Sequence, residues 1–381
     1  PHSYAVLQDT LDYLQRLGIN AIQLMPVQEF EGNEGWGYNP SYHMALDKDY
    51  GSADALRALV EECHSRGMAV ILDVVYNHAF GQSPLALLYW DGAQNRPAAN
   101  NPWLNPIPKH DFNVGNDFNH ESPATKYFVK RVISWWMQTY GIDGFRFDLA
   151  SGFTQRNSLG NFNEWARYDT SRINNIQEYA DLMWSIDPES YVILENFVDN
   201  SERKELSSRG MMLWGNMSIE YGQASKGFGG SDLGGSWWEH VGWGEPGLIA
   251  YMESHDEERL MYKNLTAGNS GPGYNIKELK VALGRIELVS SFYFLIPGPK
   301  MIWKFGELGY EYSVNYCPDG SVNTNCRLSP KPLRWDYKDV YVRQRIYDIH
   351  RALILLRQQP AVRDGDLDIS LVSQFEKKMR F

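Results

Sequence analysis

The feature that most limits what this chain can become is an alternation. Runs that are apolar almost throughout, at residues 21–25, 68–75, 191–195, 211–217, 248–254 and 300–305, recur between segments whose apolar residues return every three or four positions. A short continuous apolar run reads as a strand buried on both faces, and an amphipathic segment as a helix laid over such a sheet. Leu56, Leu59, Val60 and Cys63 fall at i, i+3, i+4 and i+7. They predict a helix over 53–65 with Ser52 as its cap and Gly67 as its stop. Ser122-Pro123 opens another helix, with a cap followed by proline at the first position. Further helices are predicted at 6–17, around Ile173 to Met183, at 279–294 and at 342–356.

With the stretch 144–149 added, the count is seven strands, and the chain opens on a helix. A barrel of eight strand–helix units opens on a strand. The prediction is therefore an α/β fold, a (β/α)8 TIM barrel whose first strand is missing. It spans 1–365, carries an irregular insertion over 79–121 after the third barrel strand, and is followed at 366–381 by the start of a C-terminal β domain, with a further β element from 368 to 375. An open doubly wound sheet is the runner-up, since it needs no missing strand.

The central run is Gly144-Phe145-Arg146-Phe147-Asp148-Leu149. Successive side chains of a strand alternate faces, so Phe145, Phe147 and Leu149 share one and Gly144, Arg146 and Asp148 the other. A guanidinium two residues from a carboxylate favours the ionised acid, which predicts an anionic Asp148 at neutral pH. Such a carboxylate suits covalent catalysis, and equally a structural ion pair. Other strand ends resemble it in kind: Asp73 precedes Tyr76, Asn77 and His78, one run ends at Glu195-Asn196, and another at Glu253-Ser254-His255-Asp256. Active sites of barrels are built at those ends.

Net charge is −11, which argues against nucleic acid or an anionic membrane as partner. No apolar run approaches the ~20 residues of a membrane span. Cys63 reads as a buried helix residue, whereas Cys317 and Cys326 bracket a polar loop and either close it as a disulfide or do not. The chain opens on Pro1 with no initiating Met and no signal segment, so a piece of a longer protein is expected.

Asp73-Val74-Val75-Tyr76-Asn77-His78, Gly144-Phe145-Arg146-Phe147-Asp148, Glu195 and His255-Asp256 stand in this order at successive strand ends. The set resembles the α-amylase family of retaining glycoside hydrolases and transglycosylases, with Trp36-Gly37-Tyr38 and Gly306-Glu307 in agreement. The resemblance implies Asp148 as nucleophile, Glu195 as general acid and base with a raised pKa, and Asp256 as stabiliser of the transition state. It implies that Arg146 orients Asp148, that His78 and His255 bond the sugar, and that Tyr38 stacks beneath it, with Asp73 a structural partner of Arg146. It also implies Asn77 and Asp117 as ligands of a possible Ca2+, and no organic cofactor. Many relatives carry Lys-His three and four residues beyond the nucleophile. Here Ser151-Gly152 stand there, which weakens a family-like calcium site.

The expected substrate is an α-glucan polysaccharide or oligosaccharide, cleaved at α-1,4 bonds by a monomer outside the cytoplasm, extracellular or periplasmic. Cleavage of α-1,6 branches and glucan branching are alternatives within the family. A non-catalytic glucan-binding relative, or a metal hydrolase using His78, Asp148, Glu195 and His255, are alternatives outside that chemistry. With a strand missing, the chain as given is expected to be poorly stable and weakly active or inactive.

Overall fold

The computed structural model describes residues 3–112, 114–363, 365–371 and 377–380. The chain divides into two compact units, Pro1–Gln15 with Ile19–Leu213, and Arg16–Gly18 with Trp214–Phe381. In the first, β1 (Ala21–Leu24), β2 (Ala69–Val74), β3 (Gly144–Phe147) and β4 (Tyr191–Leu194) lie side by side in parallel, and Met212 and Leu213, the first residues of β5 (Met212–Asn216), pair with β4. In the second, β6 (Leu248–Tyr251) pairs in parallel with β7 (Lys300–Met301). These are the seven strands anticipated from the apolar runs. Within the first unit strand order follows chain order, as in a (β/α)8 barrel. A doubly wound sheet reverses order at a switch point, and no such reversal occurs among the described strands of the first unit.

Helices form where the periodicity put them. In α1 (Ala53–Ser65), Leu56, Leu59, Val60 and Cys63 are all buried, and the Ser52 hydroxyl accepts from the Ala55 N–H at 3.2 Å. Helix α2 (Pro123–Tyr140) starts on Ser122 and Pro123 and buries Val129, Val132, Ile133 and Trp136. It stops at Gly141, whose φ of 67° places it in the left-handed region that glycine enters without a Cβ clash. Helices α3 (Thr170–Ile186), α4 (Leu279–Leu295) and α5 (Tyr341–Leu356) complete the set used below. The helix predicted over 6–17 is two, Tyr4–Gln8 and Leu11–Leu17. Thr10 lies between them, and its hydroxyl donates to the Leu7 carbonyl at 2.7 Å, a local bond that competes with the helical ladder.

The insertion at 79–121 folds on its own small core of Ala79, Ala86, Leu104 and Phe118. His78–Ala79 pairs antiparallel with Asn116–Asp117, so both its ends are tied to the end of β2. Near the C-terminus Asp368–Leu371 pairs antiparallel with Lys377–Arg380. The rest of the β element predicted from 368 to 375 lies outside the described residues.

Candidate active site

Register brings the first cluster together. Asp73 on β2 is the Cα partner of Arg146 on β3, and Arg146 is in turn the partner of Ile193 on β4. Just past the strand ends, the Asp148 N–H donates to Val74 O at 2.9 Å and the Glu195 N–H to Phe147 O at 3.1 Å. Gly144 makes this spacing possible: a Cβ there would stand 2.3 Å from the Tyr191 carbonyl oxygen. Three acids from three strand ends are thereby delivered to one arginine.

Arg146 is fully buried. Its Nη1 donates to Asp73 Oδ1 at 2.7 Å and to Asp148 Oδ1 at 2.8 Å, and its Nη2 stands 3.0 Å from Glu195 Oε2. The rigid, planar guanidinium therefore carries Asp148 on one arm and Glu195 on the other. Both keep an opening to solvent, with side chains 14% and 15% exposed, while Asp73 has almost none. Leu149 follows Asp148 in the left-handed region at φ 45°, which is strained for a side chain of its size. That turn sends its N–H to Glu195 Oε2 at 2.7 Å, giving the acid a second fixed donor.

Arg146 acts on Asp148 in the expected direction, but the cluster sets other groups against it. Burial raises the Asp148 carboxyl well above its ordinary value. Arg146 opposes this, but Glu195 and Asp73 add to it. One cation faces three carboxylates, so its pull on Asp148 is divided and the carboxyl is pushed upward.

Tyr38 and His78 belong to the same cluster. The Tyr38 hydroxyl donates to Asp73 Oδ2 at 2.7 Å, and its guanidinium neighbour Arg146 lies 5.9 Å from the ring centre. His78 Nε2 is 2.8 Å from the Tyr38 carbonyl, which only accepts, so this nitrogen carries the hydrogen. Its Nδ1 is 3.3 Å from Asn77 Nδ2. Both ring nitrogens thus have protein partners, the side chain is buried, and burial lowers its pKa to about 4. A neutral His78 holding the Tyr38 backbone accounts for these contacts.

Asn77 and Asp117 do approach a common point, but His110 fills it. His110 Nε2 is 3.2 Å from Asn77 Oδ1 and 3.6 Å from Asp117 Oδ1. Asp117 Oδ2 accepts from Asn105 Nδ2 at 2.8 Å and from the Lys109 N–H at 3.1 Å. Gly152 makes room for this arrangement, since a Cβ there would stand 1.8 Å from Asn77 Oδ1. Calcium takes six to eight oxygen ligands. Two side-chain oxygens beside an imidazole supply only part of such a set.

In the second unit His255 is buried and Asp256 half-exposed, after the end of β6. Asp256 Oδ2 is 3.2 Å from His255 Nε2, and Oδ1 accepts from Arg327 Nη2 at 2.7 Å. Burial pushes the Asp256 carboxyl up, but His255 and Arg327 outweigh it and hold the group well below the usual carboxylate range. Arg327 escaped the sequence reading, being 71 residues away. Its one signal is its place directly after Cys326, which is disulfide-bonded to Cys317.

Comparison with known proteins agrees with the motifs. A family model of the α-amylase catalytic domain matches residues 6–85. A malto-oligosyltrehalose trehalohydrolase of Saccharolobus solfataricus is 34% identical over 141 residues, 36% of this chain and 23% of that protein. The chloroplastic isoamylase SU1 of Zea mays is 33% identical over 183 residues, 42% of this chain and 23% of that protein. The match thus spans about a quarter of these relatives' length. Among solved structures, a type I pullulanase of Bacillus subtilis complexed with maltose superposes with a TM-score of 0.75 at 21% identity, over 98% of this chain and 56% of that one.

Proposed function

We propose that this chain, whose matches are to the α-amylase family of glycoside hydrolases, works as a retaining hydrolase of α-1,4-glucosidic bonds in starch- or glycogen-like glucans. The observation that carries this reading is the single guanidinium of Arg146 spanning Asp148 and Glu195. Retention requires two carboxyls about 5–5.5 Å apart, one to attack and one to protonate. A rigid fork with one acid on each arm is a means of fixing such a separation.

In the proposed cycle an Asp148 oxygen bonds to the anomeric carbon as the bond from that carbon to the leaving oxygen breaks. Glu195 passes its proton to the leaving oxygen. Glu195 then takes a proton from water, whose oxygen bonds to the anomeric carbon and releases Asp148. Asp256 is assigned the third acid's part, bonding sugar hydroxyls as positive charge develops on the ring, with His255 beside it. We derive no step through a metal.

A second reading, cleavage of α-1,6 branches, is favoured by the likeness to an isoamylase. The disulfide between Cys317 and Cys326 supports an oxidising location, extracellular or periplasmic. Incubation of the full-length protein with linear maltooligosaccharides and, separately, with pullulan decides the bond. Shortened linear chains with α-anomeric products are expected. Maltotriose from pullulan with linear chains untouched favours the branch-cleaving reading, and β-anomeric products overturn retention.

A further inference from the structure

Asp256 is held by a device that the motif around it does not include. Each of its carboxylate oxygens has its own basic neighbour, His255 at Oδ2 and Arg327 at Oδ1. Arg327 Nη2 also donates to the Asp256 carbonyl oxygen at 2.9 Å, so one nitrogen grips both the side chain and the main chain of the acid. The Asp256 N–H in turn donates to Ser254 Oγ at 3.1 Å.

An arginine–aspartate pair exposed to 39% and 45% is ordinarily worth little, because two flexible side chains lose freedom to meet in water. Here the arginine's backbone is fixed beforehand. Cys317 and Cys326 are joined, with Cα atoms 5.2 Å apart, immediately before Arg327. Within the loop the Cys317 N–H donates to Ser321 O at 2.8 Å, and the Asn323 N–H to Asn315 O at 2.9 Å. The turn Thr324–Cys326 is capped by Asn323, whose side chain accepts from the Asn325 N–H. On the far side Lys331 Nζ donates to the carbonyls of Cys326 at 2.7 Å, Ser329 at 2.8 Å and Arg327 at 3.3 Å. Arg327 is therefore bracketed by a covalent link and a lysine staple, and much of the entropy of placing it is spent in folding the loop.

We propose that Arg327 is a positioning residue for Asp256, and that the Cys317–Cys326 disulfide sets its reach. The inference rests on the reading of Asp256 as the acid that stabilises the transition state. It couples that acid to a redox-sensitive bond in the loop carrying its partner.

The test uses the full-length protein and its glucan hydrolysis. Arg327→Gln is expected to lower kcat roughly tenfold while leaving KM and the thermal midpoint near their original values. Because a cation beside Asp256 is lost, the acid limb of the kcat–pH profile should move to higher pH, and Arg327→Lys should restore part of both effects. Cys317→Ser with Cys326→Ser, or reduction with dithiothreitol, is expected to lower kcat in the same direction. Combined with Arg327→Gln it should add little, as expected when two changes act through one contact. An Arg327→Gln protein with unchanged kcat and unchanged acid limb overturns the inference, even if the cysteine variant fails to fold. Asp256→Asn separates the two levels: full activity in that variant overturns the reading of Asp256 itself, whereas loss there beside normal Arg327→Gln activity overturns only the positioning role.

Discussion

The two units treat their acids in opposite ways. In the first, one buried guanidinium is divided among Asp73, Asp148 and Glu195, and Asp148 is pushed towards its protonated form. In the second, one half-exposed carboxylate has two basic partners, and Asp256 is held ionised. Both sites pair arginine with aspartate. What differs is the ratio of cations to carboxylates and the access of water, and these set the protonation of each acid. The lowered carboxyl of Asp256 fits its proposed role, since a transition-state stabiliser must stay negative.

The largest expected effects come from removing each charge in turn. Asp148→Asn and Asp256→Asn should each reduce turnover by about four orders of magnitude, as losses of groups acting only in the chemical step do. Their stabilities should diverge. Asp148→Asn relieves repulsion within a buried cluster and should raise the thermal midpoint, whereas Asp256→Asn leaves two basic neighbours unmatched and should lower it slightly. Calorimetry of both variants at pH 7 checks this, and equal shifts break the comparison.

Removing the arginines sharpens it. Arg146→Met strands three carboxylates in the interior and should cost about 3–5 kcal/mol in chemical denaturation. Arg327→Met, at an exposed pair, should cost less than about 1 kcal/mol. Comparable losses would place the two pairs in one class.

Stability against pH carries a smaller signal of defined sign. The folded-state pKa of Asp148 is raised, so its contribution is present below the ordinary carboxylate range and is lost as pH rises through the raised value. Asp256 is lowered, so its contribution is present above that range and is lost as pH falls through it. Burial depresses His43, His78 and His120 to about 4. Their contribution is present above pH 6.5 and fades as pH falls towards 4, by up to about 1.4 kcal/mol per pH unit for each. Urea titrations from pH 4 to 8 should therefore show a steep acid decline that Asp148→Asn leaves in place, with a flatter curve at higher pH in that variant. The smallest expected effect is that of chelation. With His110 between Asn77 and Asp117, EDTA should leave the thermal midpoint unchanged.

The strands were legible because burial on both faces forces nearly every residue in a run to be apolar, as in 69–74 and 144–147. The partnership of Arg146 with Asp148 was legible because two residues along a strand return to the same face. The upward push on Asp148 was not, since a local reading saw one cation and one anion. Strand register supplied the other two acids, and register is a property of pairing between distant segments. His110 and Arg327 were hidden for a like reason, as each reaches its partner through a loop without periodicity. Asn77 and Asp117 both lie beside His110, a side chain the motifs do not include.

The central claim is that Asp148 and Glu195, joined by Arg146, act as nucleophile and acid. Its most direct test is to incubate full-length Glu195→Gln protein with an α-glucosyl fluoride, whose leaving group needs no proton, and map the labelled peptide by mass spectrometry. The account predicts a glycosyl adduct on Asp148 that is absent from Asp148→Asn. No adduct while fluoride is still released, or an adduct on another residue, would contradict it.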